Sequence, residues 1–137
     1  MLHIVKLCVG VSEVEELERW VKGTRKGRDT LDHVTRSFPR RHEEILPGGS
    51  LYWVIRGMIL CRQPIKSFDV VRGEDGIDRC RINFMPEIIY VRPVPRRAFQ
   101  GWRYLEAADA PLDVRKGELP DDMSENMRRE LATLGLI

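Results

Sequence analysis

Short runs of alternating apolar and polar residues dominate this chain, a pattern that favours strands over helices. Leu2–Cys8 (LHIVKLC) is apolar apart from His3 and Lys6 and predicts a first, mostly buried strand. The period then changes. Val14, Leu17 and Val21, with Trp20 beside them, recur at helical spacing. Ser12 followed three residues on by Glu15 has the form of a capping box, so a helix is expected to start at Ser12. GTRKGR (Gly23–Arg28) then predicts a basic, glycine-flanked loop. DHVTRSF predicts a short strand, and PRRHEEIL one to two helical turns with Pro39 at the first helical position.

The turn PGG leads into LYWVIR, whose aromatic and β-branched content is that of a strand. Alternation puts Leu51, Trp53 and Ile55 on one face and Tyr52, Val54 and Arg56 on the other. Trp53 thus reads as core, and Arg56 as a rim residue where Gly57 lets the chain bend. MILCRQPI and KSFDVVR continue as strands interrupted by Pro64, which suits an edge or a bulge. VVRGEDGIDRCRINF predicts a hairpin turning at Asp75-Gly76, with Cys80, Ile82 and Phe84 inward and Arg79, Arg81 and Asn83 outward. PEIIYVRP reads as a strand stopped by Pro93. VPRRAFQGWRYL reads as irregular, broken at Pro95 and Gly101. Asp122 as cap, a stripe of Met127, Leu131 and Leu134, and Gly135 as stop predict a final helix. The expected fold is α+β: a small curved sheet or β-barrel of five to six strands with about three peripheral helices. It forms one domain over residues 1–137, with an acidic helical tail at 120–137.

Composition changes this picture little, but charge placement does. The chain is 42% hydrophobic and 32% charged, which is globular. The N-terminal apolar run is short, contains Lys6 and lacks a small-residue cleavage signal, so it is expected to be a strand and not a signal peptide. No run approaches the ~18 apolar residues of a membrane span. Cys8, Cys61 and Cys80 are far apart with no CxxC spacing, which predicts free thiols in a reducing cytoplasm. The net charge is only +2, yet Val21–Arg72 holds eleven basic against five acidic residues, and Arg92–Tyr104 holds four arginines and no acid. A basic centre between acidic ends fits a polyanion partner, and fits internal salt bridging as well.

Candidate chemistry follows from that centre. VPRRAFQGWRYL sets Arg96, Arg97 and Arg103 among Phe99, Trp102 and Tyr104. Guanidinium groups pair with phosphates and aromatic faces stack on unpaired bases, so the mixture suits single-stranded nucleic acid. The bland alternative is that the aromatics pin a loop to the core. FPRRH repeats the theme with Arg40 and Arg41, which could equally pair with Glu43 and Glu44. GTRKGR lacks the GxxxxGK[ST] order and reads as a basic arm. His3, His33 and His42 show no metal-ligand spacing, and no metal or cofactor is expected. Glu74, Asp75 and Asp78 cluster at a hairpin tip, where carboxylates are usually solvated.

HVTR, PRR, GGSLYWVIRGMILCRQPI, VRGEDGI and FQGWRYL together resemble an uncharacterised family of small bacterial proteins known as a domain of unknown function. A looser resemblance is to the PUA-like superfamily and its ASCH domains. Those run a Thr-x-Arg segment, a short helix, a Pro-Gly turn and then a barrel strand, an order present in DHVTRSFPRRHEEILPGGSLYWVIRG. The superfamily mostly binds RNA or modified nucleobases, which implies a PUA-like β-barrel and such a partner here. Some ASCH members hydrolyse acylated cytidines with a lysine, a threonine and a glutamate. Lys26 with Thr30 or Thr35 would take the first two positions, while Thr35-Arg36 lacks the intervening residue and no glutamate falls into the third.

The leading expectation is a nucleic-acid-binding module, for RNA, with Arg36, Arg40, Arg41, Arg96, Arg97 and Arg103 on phosphates and Trp102 or Tyr104 stacking on bases. The alternatives are a nucleoside-directed hydrolase with Lys26, Thr35 and Arg36 at a barrel mouth, or an interaction module, homo-oligomers included, whose acidic ends dock on a partner. In each case the expected location is the cytoplasm.

Overall fold

The structure, a computed structural model, describes residues 1–114; the helix expected within 120–137 lies outside the described residues. The chain order is β1 (Leu2–Leu7), α1 (Val14–Arg25), β2 (Leu31–Thr35), α2 (His42–Ile45), β3 (Ser50–Ile55), β4 (Met58–Arg72), β5 (Asp78–Phe84), β6 (Ile89–Pro95) and β7 (Trp102–Glu106), followed by a single 3-10 turn. The fold is α+β. Seven strands form one mixed sheet in the order β2-β5-β4-β3-β1-β7, with β6 also paired to β4. Among the described residues only β1 and β3 run parallel, which the long connection through α1 and β2 permits.

β4 organises the sheet. Its first half pairs with β6 up to Arg62 and its second half with β5 from Ile65. Pro64, which has no N–H to donate, falls in the gap between those two ladders. Opposite them, β3 returns from β4 through the turn Arg56-Gly57, where both residues take positive φ, 52° and 77°. That is the sense of a type I′ hairpin, whose twist matches that of the strands.

The sheet curls strongly. Strands three places apart in a flat sheet would stand about 14 Å apart, yet His33 on β2 meets the Trp53 ring on β3 edge-on with centroids 6.0 Å apart. Inside the curl lies the main core: Leu2 and Ile4, Leu51, Trp53 and Ile55, Ile82 and Phe84, closed by Leu17 and Val21 of α1 and by Ile45 of α2. A second, smaller core covers the other face of β1 and β3, built from Val5, Tyr52, Val54, Ile59, Val91 and Leu105. All six residues of β3 are therefore buried, because both faces of that strand are covered.

Several expectations need correction. The curl stops short of a barrel, since β2 and β7 share no ladder. Seven strands are present among the described residues where five to six were expected; the two helices expected before residue 120 are both found, and the third lies outside the described residues. Helix α1 begins at Val14 with Glu13 as its N-cap; the Ser12 hydroxyl donates to the Glu16 carboxylate at 2.7 Å and forms no capping box. The same helix runs on to Arg25, so GTRKGR is a loop only from Lys26 onward. Trp20 points outward, 43% exposed. Pro39 precedes a helix that starts only at His42. β4 continues through Pro64 and β6 through Pro93. Finally, Trp102–Glu106 is a regular edge strand, because Gly101, at φ 67°, turns the chain just before it.

Candidate functional site

Strand β7 places the expected residues on two different faces. It pairs antiparallel with β1, so Trp102 and Tyr104 stand beside Lys6 and Ile4 on the inner side of the curl. Arg103 and Leu105 stand beside Val5 and His3 on the outer side. The single arginine–aromatic surface expected from VPRRAFQGWRYL is thereby divided by strand alternation.

On the inner side, the curl brings β7 to the loop that leaves β2. In a flat sheet the two edge strands would lie about 24 Å apart, yet the Trp102 indole Nε1 donates to the Ser37 carbonyl at 2.9 Å. The Arg41 backbone N–H donates to the Tyr104 hydroxyl at 3.1 Å. Trp102 and Tyr104 are half-buried and meet edge to face, centroids 4.9 Å apart. FPRRH and FQGWRYL, distant in sequence, thus form one edge.

The arginines on this edge differ in their freedom. Arg41 lies 5.3 Å from the Tyr104 ring centre and donates to Glu44 at 2.6 and 2.8 Å and to Glu106 at 3.0 Å. Those hydrogen bonds raise its pKa further and hold Glu44 below the ordinary carboxylate range. Arg36 and Arg40 are exposed and carry no ion pair among the described residues. Thr35 is buried, and its hydroxyl donates to the Ser37 carbonyl at 3.2 Å. Lys26 is elsewhere: it ends α1 in a left-handed conformation at φ 38° and lines an open groove with Glu18, Lys22, Arg25, Pro86 and Ile88.

On the outer side, Arg96 and Arg103 each hold their guanidinium 5.4 Å from the Phe99 ring centre. Arg103 also donates to the Gln100 and Trp102 carbonyls at 2.9 and 3.1 Å. Arg97, in the link between β6 and β7, is exposed and carries no ion pair among the described residues. Phe99 itself packs on the second core. Arg56 occupies the exposed hairpin turn; Tyr52, expected on its face, is buried in the second core at 3% exposure.

Two further residues belong to the inner side and went unnoticed as chemistry in the sequence. Lys6 is half-buried between its ladder neighbours Trp53 and Trp102, and burial lowers its pKa. His33 stands across the curl, its pKa lowered by burial and by the Lys6 charge. The one available signal was a lysine inside an otherwise apolar strand. Among the described residues no group of His, Cys, Asp and Glu is arranged to hold a metal.

A curled, open α+β sheet with a basic, aromatic edge defines the class of domain. The chain belongs to the family described as Protein of unknown function (DUF1489), whose pattern it matches over residues 4–137. No curated protein and no solved structure matches it. No helix among the described residues is long and apolar enough to cross a membrane.

Proposed function

We propose that this protein binds RNA through unpaired nucleotides laid along the β7 edge and the loop between β2 and α2. The observation that carries this reading is the joining of Trp102 to Ser37 and of Tyr104 to Arg41, which sets two half-buried aromatic rings beside Arg36 and Arg40, exposed and without an ion pair among the described residues. Aromatic rings of this kind stack on bases, and exposed guanidinium groups meet phosphates. The loose resemblance of DHVTRSFPRRHEEILPGGSLYWVIRG to the segment order of PUA-like domains points to the same kind of partner. A hydrolase built on Thr35 has less support, because that hydroxyl is buried and already donates to a carbonyl.

Fluorescence anisotropy with a labelled single-stranded RNA, repeated over a range of salt, tests the proposal. Saturable binding that weakens steeply as salt rises is expected, since displaced counterions drive it. Absence of saturable binding at low salt would sink it.

A further inference from the structure

The half-buried cations of this fold are mostly neutralised locally. Arg41, Arg62, Arg79 and Arg81 each reach a carboxylate. Lys6 reaches none: among the described residues its ammonium has neither an ion pair nor a hydrogen-bond partner. The charged and titratable groups around it do not compensate. His33 adds positive charge when protonated, and Asp32 beside it is held by Arg28 at 3.5 Å and Arg81 at 3.3 Å. The Cys8 thiol, pushed up to about 11 by burial, carries no charge at neutral pH. A half-buried ammonium has lost part of its water without gaining a counter-ion, and a bound anion offsets that loss.

The surroundings also define the anion's shape. Lys6 projects between Trp53 and Trp102, its two ladder neighbours on the inner face. Trp53 is 5% exposed and packed against His33 and Phe84, so it forms the floor. Trp102 is half-exposed and remains the accessible wall. We propose that Lys6, His33 and Trp102 bind a phosphomonoester that carries a planar base, of the nucleoside monophosphate class, with the phosphate on Lys6 and the base against the Trp102 indole. The site shares Trp102 with the RNA edge but does not depend on it, because a free mononucleotide can fill it whether or not a polymer binds.

Tryptophan fluorescence, titrated with a nucleoside 5′-monophosphate, the matching unphosphorylated nucleoside and orthophosphate, reads the site directly. A saturable change is expected with the monophosphate and none with the nucleoside. Lys6→Met should weaken the monophosphate at least tenfold, Lys6→Arg should retain most of the affinity, and Lys26→Met, in the separate groove, should leave it unchanged. Should Lys6→Met fail to fold, lysine acylation of the unaltered chain mapped by mass spectrometry replaces it: the monophosphate must protect Lys6 and spare Lys26. No saturable response, or acylation of Lys6 indifferent to the ligand, overturns the site. Orthophosphate binding as tightly as the monophosphate overturns the part assigned to Trp102. Loss of RNA binding with mononucleotide binding intact would refute the polymer proposal alone.

Discussion

The Trp53 indole Nε1 donates to the Gln63 side-chain oxygen at 2.8 Å inside the main core, where Gln63 has no exposed surface. The Gln63 amide nitrogen in turn donates to the Pro86 carbonyl at 3.2 Å. One buried amide therefore ties β3 and β4 to the link between β5 and β6. Gln63→Leu leaves an indole N–H and a carbonyl buried without partners. It should lower unfolding free energy by about 2–3 kcal/mol, read as a lower urea midpoint at unchanged slope. Adding Trp53→Phe should cost less in that background than alone, because the hydrogen bond is already broken and the substitution removes the orphaned donor.

Gly49 marks a close approach of backbone to backbone. A Cβ built there would fall on the carbonyl oxygens of Ile45 and Leu2, where the end of α2 crosses β1. Neither oxygen can swing aside as a side chain would. Gly49→Ala should destabilise by about 3 kcal/mol, and Gly57→Asn, in an open hairpin turn at positive φ, by far less. Thermal denaturation of the two variants side by side distinguishes them.

Local chemistry made much of this fold legible. Asp75-Gly76 announced its hairpin, and the alternation of Cys80, Ile82 and Phe84 matched the buried face of β5. Trp53 was readable as core from period alone. What failed depended on distant parts of the chain. β7 was hidden because Pro95 and Gly101 read as breakers, whereas Gly101 only turns the chain into an edge strand that β1 completes. The site was half visible: FPRRH and FQGWRYL were each recognised, but their meeting needs the curl of the whole sheet. Lys6 was invisible as chemistry for the same reason, since only pairing of β1 with β7 sets it beside Trp102.

His3 gives the fold a pH dependence with a definite sign. Its Nδ1 accepts a hydrogen bond from the Ser50 backbone N–H at 2.9 Å, so that nitrogen must be unprotonated. Burial lowers its pKa, and the nearby Arg62 and N-terminal charges lower it further. With the folded value below the unfolded 6.5, protons bind the unfolded chain more readily. The stabilisation is complete above pH 6.5 and is lost as pH falls toward the folded value. His33 is shifted the same way, so both contribute in that window. Urea midpoints should therefore drop between pH 7.5 and pH 5 by more than carboxylate titration explains, and His3→Gln should flatten part of that drop. A midpoint that rises on acidification would contradict the assignment.

Charge on the proposed RNA-binding edge is set partly by Arg41 and its two acidic partners. Arg41 contributes one positive charge there, but Glu44 and Glu106 both hold it, so the trio is net negative at the mouth of an otherwise basic surface. Removing the carboxylates should expose what Arg41 offers. Glu44→Gln with Glu106→Gln should tighten RNA binding several-fold at low salt, and the gain should shrink as salt screens it. Arg36→Ala with Arg40→Ala should act oppositely, weakening binding and reducing the salt slope by about two, one for each phosphate left without its arginine. Arg103→Ala, on the outer face of β7 against Phe99, should change neither, and an equal loss there would move the binding surface to the other side of β7.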